Sequence, residues 1–220
     1  MLFDVDGTLF LTHDPLFVEA LTAAVDDVYG LQLTPGCVDR TDHPGQTSLK
    51  IAREVLHEAG LDDAAIDPRL AECCASISSR YLALLEHADT SGWEAAPGAA
   101  ETLEELTARA RIALLTGNPE SVARARMDRL GLKRFFPEGE GAFGCEAEHR
   151  VDLIALARRR AGNHPAAQTW AVGDTPTDVS SAHAAGIHCV GVPSGRFHPD
   201  ELAGADAVVE DLSGLLRVLP

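Results

Sequence analysis

The stretch Leu2-Phe3-Asp4-Val5-Asp6-Gly7-Thr8-Leu9 decides how the rest of the chain is read. Residues 2–5 form a short, mostly apolar run with strand character, and Gly7 lets the backbone turn directly after it. Residues two apart on an extended chain point the same way, so Asp4 and Asp6 leave the strand end together. Two later apolar runs end in the same manner. Residues 111–115 stop at Thr116-Gly117-Asn118, and residues 168–172 stop at Gly173-Asp174, with Asp178 in the next loop.

Between and after these runs the spacing is helical. Residues 97–110, 119–130, 151–161 and 178–185 read as helices, closed in two cases by Gly131 and Gly186. A weak strand is expected at 141–145 and further strands at 187–192 and 207–209. Strands alternating with helices predict a parallel sheet covered on both faces. In such sheets ligands bind beyond the carboxyl ends of the strands, which is where this sequence places its polar residues. Four carboxylates converging on one crevice would repel unless a cation sat among them, and Mg2+ favours carboxylates, water and phosphate oxygens.

Residues 14–88 follow a different pattern. Phe17, Ala20, Leu21, Ala24 and Val28 recur at helical spacing and stop at Gly30. A second helix is expected over 47–59, stopped by Gly60, and a third from Asp67-Pro68 through Leu84-Leu85. No strand-like alternation interrupts them. The segment is too long for a crossover helix and predicts an inserted small domain. The expected fold is α/β: a Rossmann-like three-layer parallel sheet core over 1–13 and 89–220, with an inserted α-helical cap over 14–88.

The chain has 220 residues with 34 Asp and Glu against 18 Lys and Arg, a formal net charge of -16. No basic cluster is long enough to grip nucleic acid; the densest run, Arg158-Arg159-Arg160, reads as a solvated helix end. An acidic protein that binds an anion needs a metal ion or a few placed cations to reverse the local field. The five cysteines, Cys37, Cys73, Cys74, Cys145 and Cys189, form no CxxC pair. They are expected as small buried or partly buried thiols in a reducing compartment. With no signal-peptide pattern and no spanning apolar run, the expectation is a cytoplasmic protein without membrane partners.

Asp4-Val5-Asp6-Gly7-Thr8-Leu9 resembles the first motif of the haloacid dehalogenase superfamily, Thr116-Gly117-Asn118 its second, and Gly173-Asp174-Thr175-Pro176-Thr177-Asp178 its fourth. Three motifs in order, each after an expected strand, are far more specific than one. The resemblance implies a phosphatase in which Asp4 attacks phosphorus and Asp6 serves as acid and then base. It also implies that Thr116 and Gly117 bind the phosphoryl group and that Asn118 supports the nucleophile loop. Asp4, the Asp6 carbonyl and Asp174 would hold Mg2+, with Asp178 acting indirectly or through water. The family's usual third-motif Lys is replaced by Arg150, which keeps the charge but not the geometry; Lys133 is the alternative.

The insert resembles the helical cap of the family's first subclass. Arg40-Thr41-Asp42 falls where that cap's specificity loop is expected, so Arg40 is a candidate for the substrate's far end, equally readable as an exposed loop arginine. His43 and Lys50 read better as solvated. The expected substrate is a small phosphorylated metabolite, as in phosphoglycolate phosphatases, hydrolysed by a monomer or homodimer. A phosphosugar mutase is the second reading, and a non-catalytic binding module of the same fold the third.

Overall fold

The computed structural model describes every residue except Pro35, Asp42, Leu219 and Pro220, and leaves the Asp39 side chain undescribed. Its sheet is built from β1 (Leu2–Phe3), β2 (Ala113–Thr116), β3 (Ala142–Phe143), β4 (Trp170–Gly173), β5 (His188–Gly191) and β6 (Ala207–Val208). All neighbours are parallel, in the order β3-β2-β1-β4-β5-β6. The chain builds outward from β1 through β2 to β3, then returns to the other side of β1 to add β4. That reversal opens the crevice at the carboxyl ends of β1 and β4.

Alternation along each strand feeds two apolar layers. Phe3, Leu114, Val172 and Val190 face one layer with Leu103, Met127 and Phe136. Leu2, Ala113, Leu115, Ala171 and Cys189 face the other with Leu153, Ile154 and Val179. A strand with both faces buried reads as a continuous apolar run, which is why these segments stand out in the sequence. β1 is shorter than expected, because beyond Asp4, whose N–H still donates to the Val172 carbonyl (2.9 Å), the chain curls and Leu9 and Phe10 donate back to the Val5 carbonyl.

The insert builds a third apolar cluster, which also takes in Val122 of the helix over residues 120–129. It comprises α1 (Leu16–Tyr29), α2 (Ser48–Glu58), α3 (Asp63–Ile66) and α4 (Leu70–Leu85). Gly30 ends α1 in the left-handed conformation and Thr47 caps α2 through its hydroxyl. The third expected helix is divided. Asp62 caps the short α3, Asp67 ends it, and α4 starts only two residues after Pro68, whose ring and missing N–H interrupt the ladder. After the insert come α5 (Ala99–Thr107), α6 (Glu120–Arg129), α7 (Arg150–Arg160) and α8 (Pro176–Ala184), which flank the sheet.

Cap and core meet along the N-terminus of α2. The Ser48 N–H donates to the Gly117 carbonyl (2.8 Å), Leu49 N–H to the Gly144 carbonyl (3.0 Å) and Thr47 Oγ1 to the Glu148 carbonyl (2.9 Å). Arg53 forks onto Glu148. Beside this seam the structure corrects the cysteine reading: Cys74 of α4 and Cys145 of the core form a disulfide, while Cys37, Cys73 and Cys189 are buried free thiols. The pairing lay beyond the sequence because the partners are 71 residues apart and brought together only by cap docking. Closing so long a loop removes on the order of 4 kcal/mol of unfolded-state entropy. Among the described residues, no helix is long and apolar enough to cross a membrane.

Candidate active site

The strand-end residues converge as expected. Asp4, Asp6, Thr116, Gly117, Asn118, Arg150 and Asp174 all line one cleft of about 550 Å³ between sheet and cap. Gly7 makes the convergence possible. Its φ is 74°, and a Cβ there would collide with the Asp174 carboxylate. Gly117 is held as closely, since a Cβ would strike the Gln46 carbonyl of the cap.

Asp4 is buried and lies 3.1 Å from Nη2 of Arg150. The same nitrogen is 2.5 Å from Oδ1 of Asp178 and donates to the Leu115 carbonyl, while Nη1 donates to the Gly45 carbonyl. Arg150 opens α7, so its side chain reaches under the carboxyl end of the sheet. Its Nε is buried and has no hydrogen-bond partner among the described residues. Lys133, the alternative cation, is exposed and faces Asp128 away from the cleft.

Asp4, Asp174 and Asp178 offer oxygens within 4.8 Å of one another, all three residues buried. Burial, then the neighbouring carboxylates, raise Asp174 to about 8. Asp4 is likewise raised, by burial first, with Arg150 opposing and Asp178 and Asp6 adding to the rise. Carboxylates that resist ionisation together are a donor set a divalent cation would relieve. Asp178 is committed elsewhere: Oδ2 accepts from the Thr175 N–H (3.0 Å) and hydroxyl (2.7 Å) in the capping box that starts α8, and Oδ1 faces Arg150. Asp4 and Asp174 therefore have the freer oxygens for an ion.

Asp6 has different surroundings. Its side chain is 53% exposed and turns toward α6, where Nη1 of Arg126 lies 2.7 Å from Oδ1 and the Asn118 amide donates to Oδ2. Asn118 also donates through its backbone and side chain to Thr116 Oγ1, so one amide ties the second strand end to the Asp6 carboxylate. Sequence reasoning misses Arg126. It sits mid-helix among Arg124 and Arg129, and only its spacing beside Val122, Ala123 and Met127 on the buried face of α6 could have signalled it.

Arg40 is not brought to the cleft. Its Nε lies 2.6 Å from Glu58 and Nη2 donates to Thr34, both at the surface. Asp42, beside it in the expected specificity loop, lies outside the described residues. The cap reaches the cleft instead through Phe17, Val18 and Ile51 of its helices and through His43, Pro44, Gly45 and Gln46.

The family model described as haloacid dehalogenase-like hydrolase matches residues 1–186. The chain belongs to that family. It is 31% identical over 226 residues to a phosphoglycolate phosphatase of Pseudomonas putida, covering 98% of this chain and 78% of the relative. It is 32% identical over 238 residues to one of Rhodospirillum rubrum, covering 98% and 88%. Among solved structures, CbbY of Rhodobacter sphaeroides in complex with phosphate superposes with a TM-score of 0.68 at 22% identity, over 97% of this chain and 94% of that one. A haloacid dehalogenase-like family protein of Streptococcus pneumoniae gives 0.63 at 20%, over 98% and 95%. These two establish the fold.

Proposed function

We propose that the chain is a Mg2+-dependent phosphatase that hydrolyses a small phosphate monoester, of the phosphoglycolate type, through an aspartyl-phosphate on Asp4. The observation that carries this reading is the contrast between two carboxylates of one strand end. Asp4 is buried against Arg150, whereas Asp6 is half-exposed against Arg126 and Asn118. Neighbouring carboxylates in unlike surroundings are what divided roles in one reaction require.

In this reading Asp4, in line with the scissile bond, attacks phosphorus while Asp6 gives its proton to the departing oxygen. Asp6 then takes a proton from the water that cleaves the acyl phosphate, restoring both carboxylates. Thr116, the Gly117 N–H and Arg150 hold the phosphoryl oxygens, and donors preset for developing charge account for much of such an acceleration. Mg2+, held by Asp4, Asp174 and the Asp6 carbonyl, would neutralise phosphate charge that this acidic protein would otherwise repel. Residues 14–88 act as the cap that shuts out water, and Arg196, exposed where it lines the cleft, suits a substrate's carboxylate. The enzyme works as a monomer or homodimer. Cytoplasmic placement belongs to the reading, and the Cys74–Cys145 bond is the feature that weighs against a reducing compartment.

The test is phosphate release with Mg2+ across small phosphorylated acids, sugars and sugar bisphosphates, with Asp4→Asn beside wild type. Release from phosphoglycolate, and a covalent phosphate on wild type but not on Asp4→Asn by intact-protein mass spectrometry, is the expected result. Isomerisation of a sugar phosphate primed by its bisphosphate would favour the mutase, and no turnover of any substrate would favour the binding module.

A further inference from the structure

Arg126 is 2% exposed and placed by groups from three parts of the chain. Its Nη2 and Nε donate to Oδ2 of Asp14 (2.9 and 3.2 Å), on the link between β1 and α1. Nε also donates to the hydroxyl of Tyr81 (3.1 Å), which itself donates to the same Asp14 oxygen (2.6 Å). Tyr81 belongs to α4 of the cap and is fully buried. The guanidinium lies over the Phe10 ring at 5.0 Å and the Tyr81 ring at 5.4 Å. Its remaining nitrogen, Nη1, serves Asp6 Oδ1 (2.7 Å) and Asn118 Oδ1 (3.1 Å).

Asp14 alone would balance a buried arginine. Here the Asp14 side chain is 2% exposed and that of Asp6 is 53% exposed, so Arg126 is the fixed member of its contact with Asp6 and Asp6 the adjustable one. We propose that Arg126 is a positioning residue that aims the Asp6 carboxylate, and that Tyr81 ties this aim to the seating of the cap. Oδ1 is held by a charge within a rigid planar fork, while Oδ2 is held only by the neutral Asn118 amide. Oδ2 is thus the less firmly held oxygen, the one free to turn toward a leaving group. The Tyr81 hydroxyl reaches both Arg126 and Asp14 from α4, so the arginine's cage is complete only with α4 seated on the core. The inference rests on the acid–base reading of Asp6.

The test compares kcat on phosphoglycolate, whose alkoxide leaving group needs protonation, with kcat on p-nitrophenyl phosphate, whose leaving group needs little. Wild type, Asp6→Asn, Arg126→Lys, Tyr81→Phe and the Asp6→Asn/Arg126→Lys double variant are measured with Mg2+. Arg126→Lys, which keeps the charge but not the fork, should lose on the order of tenfold more on phosphoglycolate than on the aryl ester, a fraction of a full acid–base contribution. Tyr81→Phe should lean the same way by about threefold, and the double variant should discriminate no more than Asp6→Asn. Equal losses on both substrates in Arg126→Lys, with Asp6→Asn still discriminating, overturn the positioning role alone. An Asp6→Asn that does not discriminate overturns the acid–base reading and the inference with it. Should Arg126→Lys not fold, Tyr81→Phe decides: equal losses on both substrates would reject the proposal.

Discussion

The two ends of the cleft are each governed by a buried arginine, and the two arginines are held differently. At the phosphate end Arg150 opens α7 and meets Asp4 and Asp178, with two backbone carbonyls behind and Nε unpartnered. At the leaving-group end Arg126 sits in the middle of α6, caged by Asp14, Tyr81 and Phe10, and gives one nitrogen to Asp6. The first faces a cluster of carboxylates that crowd each other. The second faces one carboxylate with room to move. On the proposed reading, the first cation meets developing charge and the second orients a proton carrier.

The largest expected effect lies at the phosphate end. Arg150→Ala should lose about 3 kcal/mol or more of transition-state stabilisation, roughly a hundredfold in kcat/KM, as expected when a charged donor to a developing oxyanion is removed. Arg150→Lys should recover only part, since one ammonium cannot stand in for Nη2 at Asp4 and Asp178 and for Nη1 at the Gly45 carbonyl together. Unlike Arg126→Lys, the loss should be equal on phosphoglycolate and p-nitrophenyl phosphate, because the phosphoryl group is common to both. Steady-state kinetics below the variant's melting temperature check this, and a leaving-group dependence at Arg150 would collapse the distinction between the two ends.

A second expectation concerns the crowded carboxylates. Asp174 is raised to about 8 and Asp4 is raised as well, so the folded metal-free protein holds protons that the unfolded chain releases near pH 4. Its stability should therefore fall as pH rises from about 4 toward 8. Mg2+ competes for the same oxygens, so the Tm gained on adding it should be larger at pH 8 than at pH 6. Thermal melts in chelator and in Mg2+ at both pH values test this. Asp174→Asn should flatten the pH dependence, and a chelated protein that gains stability toward pH 8 would rule out crowded, proton-holding carboxylates as its cause.

The smallest effect is expected at Arg40. Its ion pair with Glu58 is exposed, and such pairs contribute within about 1 kcal/mol. Arg40→Ala should leave KM for phosphoglycolate within about twofold. A larger change would place this cap loop in the cleft during turnover.

The sequence by itself determined the sheet's strands, the helical insert and the strand-end residues Asp4, Asp6, Thr116, Asn118 and Asp174. These follow from short-range rules: apolar runs, helical spacing, glycine stops, and the geometry that puts strand ends of a parallel sheet on one side. Arg150 was legible only through the resemblance, which expects a cation just before the helix that precedes the fourth motif. Only the tertiary structure decided that Arg126, and not Arg124 or Arg129 of the same helix, is buried at the cleft. Its partners Asp6 and Asp14 lie 120 and 112 residues away, and Tyr81 lies 45 away in the cap. The same holds for Cys74 with Cys145 and for Arg40 with Glu58. A local pattern reports which face of a helix is apolar, but the fate of a charge or a thiol depends on what distant segment is packed against it.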